Sequence, residues 1–193
     1  MSRPITVVVA EDEAIIRLDL VEALYEEGYD VVAQCGRGDD AVRLVREHRP
    51  DLVLLDIKMP GLTGIDAARE ITAETSTAVV MLTAFSQRDL IHDASDAGAM
   101  AYLVKPYQRE DLVPAVELAI ARRREAAALR DELSAVEQRF EQRKTIDRAK
   151  GHLIDHHGLA EADAFQFLQR SAMSRRSRMI EIAREVLAGD LLP

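Results

Sequence analysis

The chain has 193 residues, 48% of them hydrophobic, with 25 basic against 34 acidic side chains and a net charge of −9, a composition that suits one or two packed cores and excludes a disordered chain. The opening residues hold no long apolar segment and nowhere do about eighteen apolar residues run together, so export and membrane insertion are not expected and the cytoplasm is the default compartment. Cys35 is the sole cysteine, which excludes an intramolecular disulfide or thiolate cluster and leaves a small core residue.

The charge is unevenly spread. Residues 1–110 hold 11 basic and 20 acidic groups, whereas residues 111–193 hold 14 of each, and from Arg139 to Arg184 there are 10 basic against 6 acidic. The first half would repel a polyanion that this later segment tolerates. Two regions with different partners follow.

From Ile5 to about Leu118 short apolar runs alternate with amphipathic stretches. Ile5–Ala10, Val31–Cys35, Leu52–Leu55, Ala78–Thr83 and Ala101–Val104 are expected strands; Ala14–Glu27, Asp39–Glu47, Ile65–Ala73, Arg88–Ala97 and a segment beginning near Arg109 are expected helices. Leu52–Leu55 is continuously apolar, as a strand covered on both faces must be, and that implies a parallel sheet between helical layers. Right-handed crossovers give a doubly wound α/β sheet in the order 2-1-3-4-5, with the ends of the first and third strands meeting at the switch point. Glu11 and Asp12 then face Asp56, and Pro60, Gly61 and Gly64 keep the loop after Asp56 open.

Beyond Leu112 a helix of roughly forty residues is expected, broken in pattern by Gly151 and stopped at Gly158. Leu129, Leu133, Val136 and Phe140 recur at coiled-coil spacing, which suits either a homodimer contact or packing onto the chain's own domain. Two shorter helices follow, Glu161–Met173 and about Arg175–Ala188, the second capped by Ser174 or Ser177 and ended by Gly189. Phe165, Leu168 and Ala172 on one, and Met179, Ile182, Ala183 and Val186 on the other, would close a three-helix core with Ile146, Ala149 and Leu153. The division expected is 1–124, a helical linker at 125–138, and a small all-α domain at 139–193.

Three converging carboxylates, Glu11, Asp12 and Asp56, repel one another, and a hard divalent cation such as Mg²⁺ with oxygen ligands is the simplest remedy. Lys105, ahead of Pro106, adds a positive charge; Thr83 adds a hydroxyl, and Ala84 leaves room beside it. A carboxylate nucleophile, metal, lysine and hydroxyl together suit phosphoryl transfer to Asp56. These residues, with Met59-Pro60 and Tyr102, resemble the receiver domain of two-component response regulators over roughly residues 4–124. The resemblance implies a phosphoryl group taken from a sensor histidine kinase onto Asp56, in a receiver that promotes its own phosphorylation and dephosphorylation. It further implies Mg²⁺ held by Glu11, Asp12, Asp56 and the Lys58 carbonyl, a cis Lys105-Pro106 bond, and a switch in which Thr83 moves toward the phosphate and Tyr102 turns inward.

In the last segment, a projection of the long helix at about 100° per residue puts Lys144, Arg148 and Gly151 opposite the apolar stripe, with Lys150 at its boundary. A mid-helix glycine costs about 1 kcal/mol against alanine, so Gly151 on a basic face points to a backbone approaching it, or to a kink or helix contact. Arg143, Arg170, Arg175, Arg176 and Arg178 extend the charge. By composition alone such helices could bind RNA, duplex DNA or protein, and the residues hold no nucleophile, base and orienter set for an enzyme. His152 and His156 have metal-compatible spacing but no third ligand in the sequence. Arg148-Ala-Lys-Gly151, Gly158 with Glu161, Ala164-Phe165, Ala172 and Ala183 resemble the ANTAR family of RNA-binding antitermination domains. That resemblance implies recognition of paired RNA hairpins in nascent transcripts, competing with a terminator. His152 after Gly151, Ala160 at the helix cap, and the interleaved Asp147 and Asp155 depart from the family pattern.

Overall fold

The computed structural model describes residues 3–84 and 88–193, without the side chains of 88–91. Five parallel strands, β1 (Thr6–Ala10), β2 (Asp30–Cys35), β3 (Leu52–Asp56), β4 (Ala78–Ala84) and β5 (Ala101–Lys105), form one sheet in the order β2-β1-β3-β4-β5. The crossovers are α1 (Ala14–Glu26), α2 (Gly38–His48), α3 (Gly64–Glu74) and α4 (Arg88–Asp96). The strand order, the parallel pairing and the helical layers are those expected from the alternating pattern.

Alternation along each strand divides the core into two. Val7, Val9, Leu52 and Leu54 face one layer with Leu20 and Leu24 of α1; Val8, Val53 and Leu55 face the other with Val42, Val45 and Ile71. Each fully buried aliphatic side chain contributes about 1.5–3 kcal/mol. This double burial is why β3 reads as an unbroken apolar run. At its far end the strand stops because Asp56 is followed by a turn that α3 enters through Thr63, whose hydroxyl accepts the Asp66 N–H as an N-cap.

Helix α5 spans Arg109–His157, 49 residues, and is followed by α6 (Glu161–Arg175) and α7 (Met179–Ala188). It continues through Gly151, and Gly158 adopts the left-handed conformation that ends it. The chain divides into two compact units, residues 1–128 and 129–193. In the first unit Leu112, Val116 and Ile120 of α5 join the β-sheet core. In the second, Ala149, Leu153, Ala164, Leu168, Ala172, Ile182, Ala183 and Val186 form a three-helix core.

Two expectations there are corrected. Phe165 is 42% exposed, and Ala164 takes the core position beside it, since Ala164, Leu168 and Ala172 recur every four residues along one face of α6 and Phe165 lies about 100° round from Ala164. The third helix begins at Met179, four residues later than expected, because α6 runs on to Arg175 and closes with Arg176 at φ 50°. Ser177 does contribute to the next cap, but indirectly: its hydroxyl donates to Glu181, whose carboxylate also accepts the Arg178 N–H at 3.1 Å. No helix among the described residues is long and apolar enough to cross a membrane.

Candidate acidic site and basic surface

The carboxyl edge of the sheet gathers the expected acidic residues. Glu11 follows β1 and is fully buried, Asp56 ends β3 at 7% exposure, and Asp12 is exposed at the rim. Each of the three offers a carboxylate oxygen, and these oxygens all lie within 4.8 Å of one another. Lys105, at the end of β5, reaches Glu11 Oε2 at 2.6 Å and Asp56 Oδ1 at 3.1 Å. The Lys105-Pro106 bond is cis.

One ammonium does not balance these charges. Burial raises the carboxyl pKa of both Glu11 and Asp56; contact with Lys105 pulls each down without offsetting burial, and neighbouring carboxylates push both up. Burial works against the charge on Lys105, but hydrogen bonding to Glu11 and the charge of Asp56 outweigh it and raise its pKa. Hard oxygen donors, converging and under-neutralised, fit a divalent cation of the Mg²⁺ class.

Thr83, at the end of β4, is buried with its hydroxyl donating to the Ala84 carbonyl at 3.3 Å. Tyr102 on β5 is 54% exposed. Between them lies a cavity of about 120 Å³, lined also by Ile57, Met81 and Met100. The Lys58 side chain is exposed.

Of three supporting residues, Arg17 and Tyr107 escaped the sequence reading and Gly64 was read only as a turn former. A Cβ on Gly64 would lie 2.0 Å from the Asp56 carbonyl oxygen, so only glycine lets α3 start against the end of β3. Its turn-forming character was visible; the contact was not. Arg17 donates from Nη1 to the Glu11 carbonyl, holding the acid's backbone. Tyr107 buries a hydroxyl that has no hydrogen-bond partner among the described residues, and burial together with the charges of Glu11, Asp19 and Asp56 pushes its pKa up to about 12. Its place directly after Lys105-Pro106 was the available signal.

The basic residues expected to form one surface are divided. Lys144, Arg148 and Gly151 fall within about 60° on α5, whereas Arg143 and Lys150 lie on another face, where they line a groove with Arg139, Ile146, Asp147, Phe165 and Met179. Lys150 is partly buried and pairs with Asp147 at 3.1 Å and Glu161 at 3.3 Å. Lys144 lies 3.6 Å from Glu141. Arg175 pairs with Glu185 at 2.5 Å and Arg178 with Glu181 at 2.8 Å, while Arg170 donates to the Gln166 carbonyl at 3.4 Å. Arg143, Arg148 and Arg176 are exposed. Nothing lies within 4 Å of the place a Gly151 Cβ would take, so a helix contact within the unit does not explain that glycine. The His152 ring centroid lies 4.5 Å from His156 and 5.9 Å from His157.

A receiver-type sheet with its acids at the switch point, joined in one chain to a small helical domain, defines a response regulator with a separate output. Comparison with known proteins agrees: residues 7–117 match the response regulator receiver domain and residues 134–187 match the ANTAR domain. The chain belongs to the response regulator family, with an ANTAR output domain. Among its relatives, the transcriptional regulatory protein PdtaR of Mycobacterium tuberculosis is 54% identical over 95% of this chain and 90% of its own length. The chemotaxis protein CheY of Bacillus subtilis is 35% identical over 57% of this chain and 92% of its own. Of solved structures, the signal receiver domain of NarL from M. tuberculosis superposes with a TM-score of 0.59 at 30% identity, covering 62% of this chain and 98% of that one. A CheX-CheY-BeF3-Mg²⁺ complex from Borrelia burgdorferi gives 0.56 at 28% identity, over 58% and 87%.

Proposed function

We propose that Asp56 accepts a phosphoryl group from a phosphohistidine of a sensor kinase, and that this switches RNA binding by the output domain. The observation that carries the first part is the buried Asp56 carboxylate, grouped with Glu11 and Asp12 and 3.1 Å from Lys105. An Asp56 oxygen attacks phosphorus, the P–N bond breaks, and the imidazole leaves with its electron pair. Glu11, Asp12, Asp56 and the Lys58 carbonyl would hold Mg²⁺, whose charge would offset that of the phosphoryl oxygens. The similar Borrelia structure is a complex with BeF3 and Mg²⁺, which supports the same chemistry here.

Lys105 then shifts its pairing to a phosphoryl oxygen. Thr83 turns its hydroxyl from the Ala84 carbonyl toward that group, and the adjoining cavity gives the exposed Tyr102 room to follow. Such a two-state bias reaches the output through α5. The working division is a receiver at 1–124, a linker at 125–138 and the RNA-binding domain at 139–193, acting in the cytoplasm. The test is mass spectrometry after treatment with a small phosphodonor, with and without Mg²⁺. The parent gains one phosphoryl group only with Mg²⁺ and Asp56→Asn gains none; an equal gain in the variant would overturn the assignment.

For the output we propose hairpin RNA in nascent transcripts and control of termination. The bare helix surface at Gly151, flanked by Arg148 and Lys144, favours an approaching phosphate backbone, and the exposed Phe165 beside Arg143 offers a ring on which a base can stack. Arg170, Arg175, Arg176, Arg178 and Lys150 form an outer set, several of which would exchange protein carboxylates for phosphate. The test is equilibrium binding to a hairpin RNA and to duplex DNA at several salt concentrations. Each lost phosphate contact lowers the log–log salt slope by roughly 0.7–0.9, and Gly151→Leu abolishes binding with the helix intact. Equal affinity for the duplex, or parental binding by Gly151→Leu, defeats this reading. The exposed apolar residues of α5 support a homodimer whose stability responds to phosphorylation.

A further inference from the structure

Leu129, Leu133, Val136 and Phe140 are 57%, 56%, 55% and 66% exposed on α5. At about 100° per residue they fall in a stripe roughly 60° wide, an apolar seam along three turns of helix. The residues that flank it are charged and exposed: Arg130 and Glu137 on one side, Glu132 and Arg139 on the other. None of these four forms an ion pair with another described residue. We infer that this seam pairs two copies of the chain in antiparallel orientation, an inference that rests on the homodimer reading above and adds its geometry.

The argument is charge complementarity. When two helices pair antiparallel, each flank meets the same flank of the second copy, reversed. With Leu133 opposite Val136 and Leu129 opposite Phe140, Arg130 comes beside Glu137 of the second copy and Glu132 beside Arg139. By symmetry each of these pairs occurs twice and is attractive; one heptad outward Lys144 falls beside Arg123, whose guanidinium is already paired with Asp51 at 2.8 Å. Parallel pairing instead brings opposite flanks together. Glu132 would then meet Glu137, Arg139 would meet Lys144, and the next seam position would set Arg143 against Arg143. Only Glu125 with Arg130 would be favourable. Flanking charges of this kind set partner and orientation more than they set affinity. Antiparallel layers also oppose each large residue, Phe140 or Leu133, to a smaller or more flexible one, where parallel layers would stack Phe140 on Phe140.

The orientation has a consequence for RNA. The centre of the seam lies between Ser134 and Ala135, so Ile146, where the output core begins, stands about twelve residues from it on each copy. At 1.5 Å per residue the two output cores are held roughly 35 Å apart along the axis, at opposite ends. Each copy can then engage one hairpin of a pair.

Sedimentation analysis of the full chain tests this, unmodified and after phosphodonor and Mg²⁺, with Glu132→Lys, Arg139→Glu, the two combined, and Leu133→Ser. All keep good helix formers at the charged sites. Antiparallel pairing predicts that each single charge reversal weakens the dimer roughly tenfold, since two attractive pairs become repulsive, and that the combination returns it to near the parental level. Either single reversal tightening the dimer means parallel pairing and overturns the inference, as does a combined variant no better than the singles. A parent dimer that survives Leu133→Ser lies on another surface. A parent that stays monomeric in both states removes the homodimer reading itself, an outcome distinct from the reversal of sign.

Discussion

Strand β3 has an aspartate at each end, and the fold treats them in opposite ways. Asp51, just before the strand, accepts hydrogen bonds from Arg3 at 3.0 Å, from the Thr6 N–H at 3.1 Å and hydroxyl at 3.0 Å, and from Arg123 at 2.8 Å. Burial pushes its pKa up, but the Arg123 guanidinium, Thr6 and Arg3 outweigh burial and hold it well below the usual carboxylate range. Asp56, five residues later, shares one lysine with Glu11 and sits above its usual range because burial and Asp12 outweigh that lysine. The amino edge of the sheet satisfies its acid with two guanidinium groups. The carboxyl edge leaves its acids under-neutralised, which costs stability and leaves them able to take a cation or a phosphoryl group.

The largest effect expected at either edge comes from Gly64→Ala. Its Cβ would meet the Asp56 carbonyl oxygen at 2.0 Å, so the end of β3 or the start of α3 must move. A loss of about 3 kcal/mol in denaturant unfolding is expected, together with loss of phosphoryl acceptance although Glu11, Asp12 and Asp56 themselves are unaltered. Retention of both would show that the turn adapts, and that Asp56 is not held by its backbone.

Next is Asp51→Asn, which keeps the shape and removes the charge from two guanidinium partners, at a cost of about 2 kcal/mol. Asp56→Asn should have the opposite sign, with a gain of about 1 kcal/mol at neutral pH in the presence of chelator, because it removes one crowded carboxylate. The pH dependence separates the two cases. A group with a depressed folded pKa contributes stability that is present above its unfolded value, here 3.8 for Asp51, and is lost as pH falls below it. The melting temperatures of parent and Asp51→Asn should therefore converge in acid. For Asp56 the folded pKa is raised, so its ionisation penalty sets in as pH rises from about 4, and the advantage of Asp56→Asn should grow from acid toward neutral pH. Parallel curves in either case would break the contrast.

The two edges also differed in how far the sequence disclosed them. The carboxyl edge was legible because chemistry-bearing residues stand at strand ends: Glu11, Asp56, Thr83 and Lys105 each follow an apolar run, and strand order brings them together. The clasp at Asp51 gave no such signal, since Arg3, Thr6 and Arg123 are scattered along the chain and only the closed sheet joins them. Gly64 read as a turn residue because a close approach between elements leaves no periodic trace. In the output unit, Phe165 and Ala164 are adjacent and both apolar, so apolar character alone does not tell which of the two faces the core. Ser174 and Ser177 looked like helix caps, but Glu181 reaching back to Arg178 and Ser177 moved the start of α7 to Met179.

The smallest effect expected is also the most specific. Arg123, on α5 within the receiver unit, donates from the same guanidinium nitrogen to the Asp51 carbonyl at 3.0 Å and to its carboxylate at 2.8 Å. Arg123→Lys keeps the charge opposite Asp51 but replaces a planar fork with a point charge on a flexible stem. If charge is the main contribution, the variant should lose no more than about 1 kcal/mol, roughly half the cost of Asp51→Asn, and keep its acid sensitivity. A loss equal to that of Asp51→Asn would assign the clasp to the fixed position of the one guanidinium nitrogen that reaches both Asp51 oxygens. Because Nη1 ties α5 to the backbone just before β3, Arg123→Lys should then also show faster amide exchange at Ile120 and Arg124 than at the Glu11–Lys105 edge, which Arg123 does not touch.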